Sequence, residues 1–218
     1  MKQKRENVKI TVITPTIRIE GLEIVQKSLE SQTFQDFEWL IEYTFKGHGN
    51  DLNAAYNRAI KRARGELLVS WQDFIRIPND GLEKMWQHYQ DNPAFYTYPV
   101  SKQRMNGSIK DDWRSHRDNS KIPFTEWEID LGAAPKQWMY EVGGFDEHLD
   151  EHTWTFDVVN VGLRAQLNNK PLLLNTEVHG LALDHDEFIE HPFRGDVNPE
   201  FHNKRLDDIR KGNFVSFL

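Results

Sequence analysis

The chain has no cysteine. Disulfides and thiolate metal sites are therefore excluded, and the absence fits a reducing compartment. No apolar run approaches the roughly 20 residues that a membrane-spanning helix requires. The opening residues MKQKREN lead into strand-like sequence rather than an apolar core of signal-peptide length, so the expected location is cytoplasmic. Positive charge is also in deficit. The net charge is -7, and the field of such a chain repels polyanions, which argues against coating nucleic acid or an anionic membrane non-specifically. Internal repeats and low-complexity segments are lacking as well.

What is present suffices for one sizeable core: 218 residues, 38% of them hydrophobic, with 7 tryptophans. Val8 to Thr14 (VKITVIT) clusters β-branched side chains as a strand does, and Pro15 is expected to end it. Leu22, Val25 and Leu29 then share one helix face. Phe37 to Phe45 reads as a second strand, closed by Gly47, Gly49 and Asn50. Asn50 or Asp51 is placed to cap a helix whose apolar positions Leu52, Ala55, Tyr56, Ala59 and Ala63 keep a helical period, with Gly65 as its stop.

Strand, helix, strand, helix, strand at this spacing implies right-handed crossovers, hence an α/β fold with a mainly parallel central sheet flanked by helices. Leu82, Met85, Trp86 and Tyr89 mark another helix, and Ala94 to Pro99 another strand. Ser101 to Lys121 turns polar and is expected to be a long exposed loop or hairpin. Glu126 to Ala134 returns to strand character, and Gln137 to Val142 forms a short helix before Gly143-Gly144. Thr153 is placed to cap a helix from Trp154 to Leu167, with Phe156, Val159, Leu163 and Leu167 inward and Asp157, Asn160 and Arg164 sharing one face. Pro171 to Leu174 is a short strand, and Pro199 to Lys211 a last helix.

The stretch GELLVSWQDFIRIP, Gly65 to Pro78, is central. Leu67, Leu68 and Val69 form an apolar run too short for a buried helix and bracketed by turn residues, so a buried strand is expected, with Trp71, Gln72 and Asp73 at its carboxyl end. That edge of an open α/β sheet is where ligands bind. A carboxylate there is either functional or the cap of a turn.

Four stretches then occur in a telling order: ITVITPTIR (Ile10 to Arg18), LNAAYNRAIKRARGELLVSWQDFIRIP (Leu52 to Pro78), VGGFDE (Val142 to Glu147) and FDVVNVGLRA (Phe156 to Ala165). Together they resemble the inverting, metal-dependent glycosyltransferases of the GT-A fold, family 2. The resemblance implies a single GT-A-like domain over 1-218, with a nucleotide-binding half at 1-100, an acceptor half at 101-185 and a tail at 186-218. It places Trp71, Gln72 and Asp73 on the family's Asp-x-Asp motif, of which only the second Asp remains. A hard cation, Mn2+ or Mg2+, keeps waters and donor phosphates around few protein ligands, so Asp73 is the implied metal ligand. His185, a better match than His179, is the second.

The same resemblance implies that Pro15, Thr16 and Arg18 lie near the nucleotide base, that either Glu42 stands in for an Asp that reads uracil or base recognition differs, and that Asn57 and Gln72 lie near the donor. Trp71 either packs on ribose or base or belongs to the core. Inverting transfer requires a base to take the acceptor proton while the nucleoside diphosphate leaves. The family's Glu-Asp pair maps to Asp157 and Val158, which leaves Asp157 as the implied base, in a helix first turn that favours its ionised form. The alternative is that Asp157 only satisfies amides of that turn; Asp146 and Asp150 are further candidates. In the tail, Arg194 either folds over the donor diphosphate or, like His191, simply faces solvent.

For the acceptor, Trp113, Trp127, Trp138 and Trp154 are available for stacking on sugar, one or two of them at most, since large aromatics are mostly core. The basic residues Arg58, Lys61, Arg62 and Arg64, with Lys102, Arg104, Lys110, Arg114 and Arg117, allow another acceptor, a hydroxylated base on nucleic acid, although such clusters are usually solvated faces. The missing first Asp and the missing paired acid also permit a catalytically inactive nucleotide-sugar-binding module.

Overall fold

The computed structural model describes residues 8–46, 49–151, 157–183 and 199–218. In chain order its strands and helices are β1 (Ile10–Thr16), α1 (Ile19–Glu30), β2 (Phe37–Tyr43), β3 (Phe45–Lys46), β4 (Gly49–Asn50), α2 (Leu52–Arg62), β5 (Leu67–Trp71), β6 (Ile75–Arg76), α3 (Gly81–Asp91), β7 (Phe95–Thr97), β8 (Val100–Gln103), β9 (Ile109–Lys110), β10 (Ser120–Lys121), β11 (Leu131–Pro135), α4 (Lys136–Glu141), α5 (Asp157–Leu167), β12 (Leu172–Leu174), β13 (Gly180–Leu183) and α6 (Pro199–Arg210). No described helix is long and apolar enough to cross a membrane.

A seven-stranded sheet runs β10-β12-β7-β11-β5-β1-β2. The strands β2, β1, β5, β7 and β12 share one direction, and β11 and β10 oppose it. A second sheet, β6-β13-β8-β9, sits at the carboxyl end of β5, from which β6 continues. Alternation along β5 explains the layers. Leu67, Val69 and Trp71 join a core with Val25 and Leu29 of α1 and Leu82 and Met85 of α3. Leu68 faces the other way, into a core with Tyr56, Ala59 and Ile60 of α2, Met139 of α4 and Val161 and Ala165 of α5. A strand that is apolar on both faces has to be covered on both, and helices on either side of the sheet do so.

Several boundaries differ from expectation. Pro15 does not end β1: it pairs in register with Glu42 of β2. The pairing of β1 with β5 stops at Ile13, so Pro15 lies where the strand has become an edge and a missing N–H is tolerated. Of the span 126–134 only the part from Leu131 is strand, because the buried Trp127 and Ile129 lie in the irregular approach to it. Leu167 is 52% exposed, whereas Asn160, Val161, Leu163, Arg164 and Ala165 of α5 are buried. The buried face of α5 is thus centred on its polar stripe, since Arg164 is spent internally. Its Nη1 donates to the Val142 carbonyl and its Nε to Asn160 Oδ1 at 3.1 Å. The polar segment after Ser101 folds partly as the hairpin β8–β9. The proposed start of α5 at Trp154 and its Thr153 cap lie outside the described residues.

Candidate functional site

Because β1 and β5 are adjacent and parallel, their carboxyl ends deliver Thr16 and Asp73 to the same sheet edge, although 57 positions separate them. Asp73 is only 4% exposed. Its Oδ2 accepts hydrogen bonds from the Thr16 hydroxyl at 2.5 Å and from Nε of Arg18 at 3.0 Å, and its Oδ1 accepts from Nη2 of Arg18. The Arg18 amide donates to Thr16 Oγ1 at 2.8 Å, which sets the arginine's backbone just before α1. This is the fork geometry in which guanidinium and carboxylate bind through two bonds.

The local chain is shaped to hold that fork. Phe74 has a φ of 63°, so the chain turns sharply after Asp73. Its ring lies under the guanidinium, 5.2 Å from it. Gly21 of α1 is required by the close approach: a Cβ there would fall 2.4 Å from Phe74 Cδ2 and 2.8 Å from Asp73 Cβ. Removing one partner of such a buried pair costs about 3–5 kcal/mol, since the other is left as an uncompensated charge.

One strand over, the carbonyl of Asp130, the residue before β11, accepts from the Gln72 amide at 3.0 Å. No hydrogen bond to its carboxylate is found among the described residues. Burial raises the pKa of this group, against the opposing pull of Arg114, Lys102 and Arg18. Behind it lies an ion-pair cluster. Arg114 is forked onto Asp112 through Nε, at 3.0 Å and 3.1 Å, and its Nη1 reaches Glu128 at 2.8 Å. Burial pushes Glu128 up as well, again opposed by Arg114. For Asp112 burial is outweighed by donors from Arg114 and the Val100 amide, which hold its carboxyl below the usual range. The sequence reading missed Asp130; the signal available was an acid immediately before the buried strand LGAAP.

Thr16, Arg18 and Asp73 therefore converge, with Pro15 and Gln72 next to them in the chain. Glu42 lies at the end of β2, where Arg58 Nε at 3.2 Å and Arg62 engage it. The Asn57 amide is used up elsewhere: Oδ1 accepts from the Phe145 amide at 2.9 Å, and Nδ2 donates to the Phe145 carbonyl at 2.9 Å and to Glu147 at 2.8 Å. Asn57 thus ties α2 to the turn Gly143–Gly144, whose φ values of 81° and 73° call for glycine. Asp157 is the first residue of α5, and its side chain lies outside the described part. His185, His191 and Arg194 are also outside the described residues.

The two other candidate bases are taken up structurally. Asp146 is fully buried, and its Oδ2 accepts from Nε of Arg205 at 2.8 Å. Asp150 accepts from the amides of Asn53 and Ala54. Among the aromatics, Trp71 is a core residue: it is fully buried and its indole donates to the Ile75 carbonyl at 2.9 Å. Trp127 donates to the Tyr96 carbonyl in the same manner. Trp138 stacks on Phe95, and Trp113 is exposed beside Arg117. Trp154 lies outside the described residues. Of the basic residues, Arg58, Arg62, Arg64, Arg114 and Arg117 are all paired with carboxylates.

Of the two ligands that the resemblance implies for a divalent metal, His185 lies outside the described residues and Asp73 is not open to one. Both oxygens of Asp73 are already held by Arg18 and Thr16. Among the described residues no three acids or histidines gather around a common point. His179 meets the Ser101 hydroxyl at 2.8 Å. A cavity of about 30 Å³ lies in the core beneath the sheet, lined by Ile13, Tyr56, Leu68, Met139 and Phe145, with none of Thr16, Arg18 or Asp73 in its wall.

No family model and no curated protein sequence matches the chain. Solved structures do match. S. aureus TarS residues 1–349 in complex with UDP-GlcNAc aligns with a TM-score of 0.68 at 14% identity, over 96% of this chain and 68% of that one. The same protein in complex with UDP aligns with a TM-score of 0.60 at 15% identity, over 95% and 72%. GalNAc-T7 with UDP, GalNAc and Mn2+ aligns with a TM-score of 0.64 at 11% identity, over 82% of this chain but 44% of that one. The chain has a GT-A-like glycosyltransferase fold: a mixed α/β structure around a mainly parallel seven-stranded sheet.

Proposed function

We propose that the protein transfers a sugar from a nucleoside-diphosphate donor to an acceptor hydroxyl, with inversion at the anomeric carbon. The observation that carries this reading is the convergence of Thr16, Arg18 and Asp73 at the carboxyl edge of β1 and β5, in a fold shared with proteins whose structures hold UDP and UDP-GlcNAc. In open α/β sheets that edge receives the ligand. Residues 1–100 then form the donor side, with Pro15, Glu42 and Gln72 around the nucleotide. Residues 101–185 form the acceptor side, where the exposed Trp113 offers a face for stacking on a sugar.

In the transfer, the acceptor oxygen forms a bond to the anomeric carbon as the bond from that carbon to the β-phosphate oxygen breaks. The electron pair of that bond leaves with the diphosphate, and the acceptor's proton passes to a carboxylate. Asp157, at the start of α5, is the base in this reading. Arg18 offers N–H groups at the edge where the leaving diphosphate gains charge. The second reading, a hydroxylated nucleic-acid base as acceptor, gains nothing from the ion-paired arginines.

The test is a thermal-shift panel of nucleotide sugars, followed by an assay of nucleoside diphosphate release with and without hydroxyl acceptors. A donor that raises the melting temperature and is turned over only with an acceptor supports transfer, because a ligand bound to the folded form stabilises it. Binding without turnover under any acceptor identifies an inactive binding module. No binding by any nucleotide sugar removes the proposal.

A further inference from the structure

We infer that Arg18 takes the place of a divalent cation toward the donor diphosphate, and that Asp73 serves as the arginine's anchor rather than as a metal ligand. This rests on the transferase reading and deepens it. A divalent ion reaching Asp73 has to evict a guanidinium held through Nε and Nη2, together with the Thr16 hydroxyl that occupies the same oxygen. The side chains are 14% exposed for Arg18 and 2% for Asp73, so the evicted arginine loses a buried partner as well as its place over Phe74. Magnesium and manganese favour sites rich in open carboxylate oxygens, and Asp73 offers neither of its own.

The arginine is oriented but not exhausted. Guanidinium carries five N–H donors, and the fork onto Asp73 uses one on Nε and one on Nη2. The remaining N–H groups form a planar edge suited to two phosphate oxygens, which is how arginine binds phosphate. Asp73 and Thr16 fix the plane of that edge before the donor arrives, so little side-chain entropy is lost on binding. The missing first acid of the Asp-x-Asp pattern is consistent with this arrangement: Trp71 stands at that position with its side chain buried in the core, which leaves the arginine facing one carboxylate of that motif.

The deciding experiment measures dissociation constants of the full chain for uridine, guanosine, adenosine and thymidine diphosphates, in EDTA and in excess Mn2+. The expected result is that the preferred diphosphate binds with closely similar affinity in both. Arg18→Gln is expected to weaken it about tenfold or more, with no rescue by Mn2+. Asp73→Asn should weaken it equally in the two conditions, whereas loss of a metal ligand would be felt only with Mn2+ present. Because each single change strands a buried charge, the double variant R18Q/D73N, checked for an intact melting transition, supplies a version with no orphan charge; it should bind as weakly as Arg18→Gln. Binding by the wild type that vanishes in EDTA overturns the inference while leaving the transferase reading intact. Failure of all four diphosphates in both conditions overturns both.

Discussion

The carboxylate of Asp150 receives the backbone N–H of Asn53 at 2.8 Å, and thereby caps α2 from 97 residues further along the chain. The neighbouring Ala54 amide adds a second bond at 2.9 Å. Asp51, the residue at the capping position, makes no side-chain cap bond; its Oδ2 accepts from Arg58 at 3.0 Å instead. The first turn of α2 is therefore closed by tertiary structure. Asp150→Ala should cost about 1–2 kcal/mol of unfolding free energy, read as a lower urea midpoint.

The same residue gives a pH dependence. Burial raises its pKa from 3.8 to about 6, although the amides of Ala54 and Asn53 and the Asn53 side chain pull it down. The folded state thus holds the proton more tightly than the unfolded chain. Its contribution to stability is full below the ordinary carboxylate value and is lost as pH rises through about 6. Urea midpoints across this window should fall with rising pH more in the wild type than in Asp150→Asn.

Asp130 should tune the donor site through charge. Its raised pKa, set by burial and opposed by Arg114, Lys102 and Arg18, means that the carboxyl gains its negative charge only above the usual range. That charge then competes with diphosphate for Arg18. Nucleoside diphosphate binding should weaken with rising pH in the wild type and less so in Asp130→Asn, a comparison that cancels the titration of the ligand itself.

Asp157→Asn should lower transfer by about two to four orders of magnitude while leaving donor affinity nearly unchanged, the signature of a lost general base. Transfer at the wild-type rate in that variant would take Asp157 out of the role.

Gly144→Ala should destabilise the fold. The position has a φ of 73°, and an added Cβ would lie 2.6 Å from both Asn57 Oδ1 and Leu218 Cγ. Backbone strain and the disturbed Asn57–Phe145 bonds together should lower the unfolding free energy by about 2 kcal/mol or more, measurable in a denaturant series.

The alternation of strand and helix and the buried strand at Leu67 were legible in the residues, because apolar periodicity and turn residues are local properties; that β1 and β5 lie side by side was not. Asp73 could be named from its place at the tip of that buried strand, and Thr16 and Arg18 from the family resemblance of the stretch that holds them. The roles of Asn57, Asp146 and Asp150 could not. Each of these polar side chains satisfies a backbone amide or a charge contributed by a distant segment, and nothing adjacent in sequence announces that partner. Leu167 illustrates the same limit on a helix: its spacing matched an inward face, yet the buried stripe of α5 follows Asn160 and Arg164, which are needed to brace the chain at Val142.

Taken by itself, the order of residues determined which strands exist, which of them are apolar on both faces, and which acid stands at the tip of the central one. Only the folded chain decided what that acid holds. The carboxylate of Asp73 takes up an arginine because parallel pairing of two strands brings their ends within bonding distance, and a buried charge so placed must be neutralised by whatever cation lies nearest.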